Sequence, residues 1–110
     1  MTGTFELDKT AFAAICDRVG LARGTEPTQE DGWDVAASWT RFIVEEWTGV
    51  SPINPVDMHC RLFNGFGVID DPHQLLLVTR VVAAALTESY GFAEADARDT
   101  SVGVRIFARR

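Results

Sequence analysis

The sequence predicts a mostly α fold, a compact bundle of three or four helices with a short C-terminal β element and an α+β arrangement as the neighbouring option. Three observations predict it. Several segments repeat apolar residues at helical spacing between recognisable caps; residues 72–90 are apolar almost all round a helical wheel; and the period changes to two after residue 101. The chain has 110 residues, 46% of them hydrophobic, with three Trp and seven Phe. That is enough apolar area to close one core without disulfides, so a single helical domain over 1–110 is expected.

The first helix is expected over Asp8–Val19. Asp8 can cap it, and Phe12, Ile15, Cys16 and Val19 form one stripe at i, i+3, i+4, i+7. Gly20 suits the left-handed position just past the end, with Leu21 folding back on the last turn. Residues 22–27 read as a loop. A second helix is expected over Gln29–Thr48, where Thr28 and Asp31 form a capping-box pattern. Its apolar face, with Trp33, Trp39, Phe42, Ile43 and Trp47, covers more than half the circumference and calls for two neighbours or a partner chain.

A third, shorter helix is expected after Asn54-Pro55-Val56-Asp57, which supplies a cap, a proline at the first helical position and an acid in the first turn. It would carry Val56, Cys60 and Phe63 on one face and stop at Asn64-Gly65. A β-hairpin about that Asn-Gly pair is the competing reading. The fourth and longest helix, Pro72–Tyr90, opens after Asp71 and closes at Gly91. Only His73, Arg80 and Thr87 give it a polar strip, so it belongs in the middle of the fold. Phe92–Asp99 reads as a charged loop or short helical turn. In the last segment Val102, Val104, Ile106 and Ala108 alternate with Gly103, Arg105 and Phe107, a strand signature. That strand needs a partner: the hairpin segment, residues 4–7, or another copy.

The net charge of −6 repels phosphates, so no nucleic-acid partner is expected, and the one basic cluster, Arg105, Arg109 and Arg110, is short. A basic protein partner would suit the charge. Asp8, Glu30, Asp31, Asp57, Asp70 and Asp71 all fall at expected helix starts, which accounts for much of the acid excess locally. Met1–Thr10 lack a basic region and an apolar run, and no apolar run reaches the roughly 18 residues of a membrane span. No membrane partner is expected, and cytoplasm is the expected location.

No catalytic, cofactor-binding or metal-ligating set stands out. His59, Cys60, His73 and Cys16 match no zinc spacing, and adjacent His and Cys on a helix diverge by about 100°. Cys16 and Cys60 read as buried thiols, Asp70 and Asp71 as helix caps. From Phe42 to Ser101 the order of elements resembles an acyl carrier protein. A helix ends in Glu46-Trp47-Thr48-Gly49-Val50, a loop closes with Leu62-Phe63-Asn64-Gly65-Phe66-Gly67-Val68-Ile69-Asp70-Asp71, and a long helix ends in Tyr90-Gly91-Phe92. That resemblance implies a helical carrier-like domain. The family's Asp-Ser-Leu is replaced here by Asp71-Pro72-His73, so the serine that bears phosphopantetheine is absent.

The leading expectation is a non-enzymatic, small acidic module that acts by occupying a partner's surface, the profile of inhibitors and immunity or counter-defence proteins. Trp39, Glu45, Glu46 and Trp47, at the end of the second helix, are its expected partner-binding residues: aromatic anchors with an acidic rim. A self-assembling subunit, paired through Val102–Ala108, and a small-ligand site using His59, His73 or Asp70 are the alternatives.

Overall fold

The computed structural model describes residues 6–21, 32–46, 56–59, 72–100 and 103–109. In chain order they form α1 (Lys9–Val19), α2 (Gly32–Arg41) continued by a π-helical turn (Phe42–Glu46), β1 (Val56–His59), α3 (Pro72–Ser89), β2 (Glu94–Thr100) and β3 (Gly103–Arg109).

The local signals at α1 act as expected. Asp8 Oδ1 accepts from the Ala11 N–H at 3.1 Å, which satisfies one of the free donors of the first turn. At the other end Gly20 adopts φ +92°, and the N–H groups of Gly20 and Leu21 both donate to the Cys16 carbonyl at 2.9 Å. Leu21 then turns into the core, 2% exposed. A Cβ at Gly20 would meet nothing within 4 Å, so the position needs glycine for its backbone angle and not for space. Gly20→Ala is therefore expected to cost about 1–2 kcal/mol, the left-handed penalty of a side-chain-bearing residue. Thermal melts would read this as a fall of very roughly 4–16 °C. An unchanged melting temperature would show that the helix end relaxes to another cap.

α2 uses its wide apolar face inside the chain. Val35, Ala36, Trp39 and Ile43 are buried in the core. Trp33 Nε1 donates to the Leu21 carbonyl at 2.9 Å, and its ring meets Phe12 edge-on at 6.3 Å, tying the start of α2 to the cap of α1. α3 is the main neighbour on this face, and α1 meets its start through Phe12. The buried hydroxyls of Thr40 and Thr79 donate back to the carbonyls four residues earlier, Ala36 and Leu75, at 2.8 and 2.7 Å. Burial therefore leaves neither hydroxyl unsatisfied.

α3 lies in the middle, as its nearly all-round apolar wheel predicts. It packs against α1 and α2 on one side and against β2 and β3 on the other. Val78, Val81, Val82, Ala85 and Leu86 are buried, whereas His73 and Arg80 are exposed and Thr87 is half-buried. Gly91, at φ +73°, lets the chain leave the helix, and Phe92 returns to the core with its N–H on the Leu86 carbonyl at 3.0 Å. On the surface, Arg18 of α1 pairs with Glu88 of α3, and the Tyr90 hydroxyl donates to the Glu6 carbonyl at 3.1 Å. Burial raises the Tyr90 pKa above its ordinary 10.0, with the Asp8 backbone hydrogen bond pulling the other way.

The sheet overturns the helical bundle. The three strands run in the order β1-β3-β2, both pairs antiparallel, and the fold is α+β. Two segments account for the correction. Val56–His59, expected to start a third helix, is a strand in register with β3, from Val56 opposite Ala108 to His59 opposite Arg105. The pairing offered by β3 outweighs the local Asn-Pro start signal, and Asp57 is a strand residue and not a helix-start acid. Glu94–Thr100, expected as a loop or helical turn, pairs with β3 from Glu94 opposite Arg109 to Thr100 opposite Gly103. Ala95 and Ala97 lie opposite Ala108 and Ile106 on the face that α3 covers. Burial under the helix, not strand propensity, places these alanines.

The C-terminal strand itself is as predicted, its residues alternating half-buried and buried from Gly103 to Arg109. It is the central strand. Both its edges are taken within the chain, so the expected symmetric pairing through Val102–Ala108 has no free edge to use along the register shared with β1 and β2. The sheet likewise departs from the helical bundle that the carrier-protein resemblance implies. Cys60, Phe63, the expected Asn64-Gly65 turn, Asp70, Asp71 and residues 22–31 lie outside the described residues.

Candidate interaction surfaces

Alternation along β2 and β3 builds a surface on the side of the sheet away from α3. Val104, Ile106 and Ala108 turn inward and are buried. Arg105, Phe107 and Arg109 therefore share the opposite face with Glu94, Asp96 and Arg98 of β2, which the register sets beside them. Phe107 lies opposite Asp96 on one side and Asp57 of β1 on the other.

The centre of this face is an aromatic ring between two guanidinium groups. Arg98 Cζ stands 4.5 Å from the Phe107 centroid, and Arg109 Cζ stands 5.8 Å from it. Both distances are within the range in which a cation is attracted to the face of a ring. Carboxylates hold the two arginines from outside: Arg98 Nε donates to Asp96 Oδ2 at 2.8 Å, and Arg109 Nη1 lies 3.8 Å from Glu94 Oε1. These side chains are 40–58% exposed, so each ion pair adds little to stability. The pairs place each arginine between a carboxylate and the ring. The face thus offers a half-buried apolar centre, two cations beside it and a rim of carboxylates.

The residues expected to bind a partner lie elsewhere, on the second helix and its continuation. Trp39 is 3% exposed and belongs to the core. Glu45 is half-buried on the π-helical turn, and Glu46 closes the same turn. Trp47 lies outside the described residues. The second helix therefore spends Trp39 on packing.

Nor do the soft ligands converge. Cys16 is fully buried on α1 and in no disulfide, as the sequence predicts, while His73 is exposed near the start of α3. His59 lies in β1 opposite Arg105. Among the described residues no three His, Cys, Asp or Glu side chains gather as a cation would require, and no helix is long and apolar enough to cross a membrane.

Sequence reasoning missed Phe107, Arg98 and Asp96 as a group, although a signal for them exists. Glu94-Ala95-Asp96-Ala97-Arg98 alternates charged and small residues with a period of two, the half-buried strand pattern in muted form. Models of known protein families, curated proteins and solved structures were all compared with the chain, and none matches it.

Proposed function

We propose that this chain is a non-enzymatic binding module that acts by occupying a partner protein's surface with the open face of its sheet. The observation that carries this reading is the half-exposed Phe107 held between Arg98 and Arg109. Aromatic and arginine side chains are the types that most often anchor protein interfaces, and rigid ones lose little entropy on binding. The cation–π and ion-pair contacts around Phe107 favour such an arrangement before any partner arrives. The net charge of −6 favours a partner that is basic overall, which would speed encounter at low salt. A cytoplasmic location is part of this proposal, supported by a chain whose two cysteines are not needed to close its core.

The test compares three tagged forms in a cross-linked pull-down from host lysate: the unaltered protein, Phe107→Ser, and Arg80→Ala, which alters only the exposed strip of α3. Expected is one stoichiometric partner held equally by the unaltered protein and Arg80→Ala. Phe107→Ser should hold it at least about tenfold less well, the loss that corresponds to an anchor worth about 1.4 kcal/mol. Circular dichroism should show the same fold for all three. Equal capture by Phe107→Ser would sink the assignment of this face, and no capture by any form would count against the binding role itself.

A further inference from the structure

We propose that β2 is a self-complementary edge, and that two copies of this chain join their sheets by antiparallel pairing of β2 with β2 about a two-fold axis at Ala97. This inference does not depend on the partner reading above, because it concerns the purified protein alone.

β2 is the outer strand of the sheet among the described residues. β3 occupies one of its sides along all seven residues, from Glu94 to Thr100. In an antiparallel ladder alternate residues turn their N–H and C=O groups away from the paired neighbour, and among the described residues no strand pairs with that other side of β2. Glu94, Asp96, Arg98 and Asp99 are exposed, and Ala95 and Ala97 are half-buried.

Many natural edges carry charge to prevent such pairing. Here the order of the charges does the opposite. Asp96 and Arg98 flank Ala97 symmetrically. Antiparallel pairing centred on Ala97 therefore sets Asp96 of each copy directly opposite Arg98 of the other, twice over. The remaining pairs are Ala95 with Asp99 and Glu94 with Thr100, so no like charges face each other. Moving the axis by one residue sets Asp96 against Asp96 or Arg98 against Arg98. A half-step toward Asp96 sets Glu94 against Asp99. Like charges directly opposite are destabilising, so the charge pattern selects both self-pairing and its register.

The donors and acceptors needed are also at hand. Within one chain Arg98 uses Nε on Asp96 Oδ2 at 2.8 Å. That leaves the two terminal nitrogens of the guanidinium and Asp96 Oδ1 to bond across the axis. The two side chains stand on the outer face, 48% and 50% exposed. The product would be a six-stranded sheet carrying two Phe107 centres on one continuous surface.

Sedimentation of the purified full chain tests the proposal. The unaltered protein should move from the 12.1 kDa monomer toward twice that mass as concentration rises to about 200 µM, the range of a modest edge contact. Asp96→Arg leaves only arginines at the two positions, and Arg98→Asp leaves only acids. Each alone should weaken self-association at least about tenfold, since both cross-strand pairs become repulsive. An equimolar mixture of the two should restore the dimer, because every acid then faces an arginine. Far-UV circular dichroism of each variant separates a lost interface from a lost fold. A monomeric unaltered protein at the highest concentration would overturn the proposal. So would folded single variants that associate as well as it does, or a mixture that stays monomeric.

Discussion

Replacing Ile106 with proline is expected to leave the chain unfolded at 25 °C, the largest effect of any single substitution considered. Ile106 is fully buried on the central strand, with Met58 of β1 opposite it on one side and Ala97 of β2 on the other. Whichever neighbour its N–H faces, proline removes a ladder bond and places a ring where a strand must pass. An unmet buried partner costs about 1–3 kcal/mol. Loss of the isoleucine side chain from the core adds about 2–5 kcal/mol. Together these approach the 5–15 kcal/mol that holds an ordinary domain folded. Loss of far-UV helical signal as well as strand signal would show that α3 cannot stand without the sheet beneath it. A folded protein with an intact near-UV spectrum would mean that the sheet contributes less to the core than its position implies.

Leu86→Ala is expected to cost about 2–5 kcal/mol, the range for a leucine removed from a tight core. Leu86 has no exposed surface and belongs to the one core that side chains of α1 and β3, among them Phe12, Ile15, Val104 and Ile106, also build. For a domain of this size the melting temperature should fall by very roughly 10–30 °C. Urea unfolding would place the same loss on the midpoint with an unchanged slope if the native state merely keeps a cavity. A loss below 1 kcal/mol would mean that the side chains around residue 86 collapse into the space.

Helices were legible where the information was local. Asp8, the Phe12-Ile15-Cys16 stripe and Gly20 together specify α1 with its caps, and α3 follows from a run of apolar residues that no surface could hold. The sheet was less legible because two of its strands are strands only in company. β1 lies behind an Asn54-Pro55 signal that locally favours a helix start, and β2 is built from alanines and charges that have little strand propensity. Their common reason is β3, whose alternating apolar residues need cover under α3 and whose edges recruit both. The surface followed the same rule. Trp39 reads as an anchor in isolation and is core once α3 is in place, whereas Phe107 reads as one more strand residue until Arg98 and Asp96 arrive beside it.

The central position of β3 also bears on how the protein comes into being. Of the elements described, the strand that completes the core is made last, and it must pair with a segment some fifty residues upstream, Val56 with Ala108. During synthesis α3 can pack against α1 and α2 as it emerges, but its sheet-facing side has no completed sheet to lie on until β3 is made. At the usual 5–20 residues per second, the interval from Val78 to Arg109 lasts roughly 2–6 s. For that time the nascent helices are a natural client for a holdase, and truncation before Gly103 would turn a transient vulnerability into a permanent one.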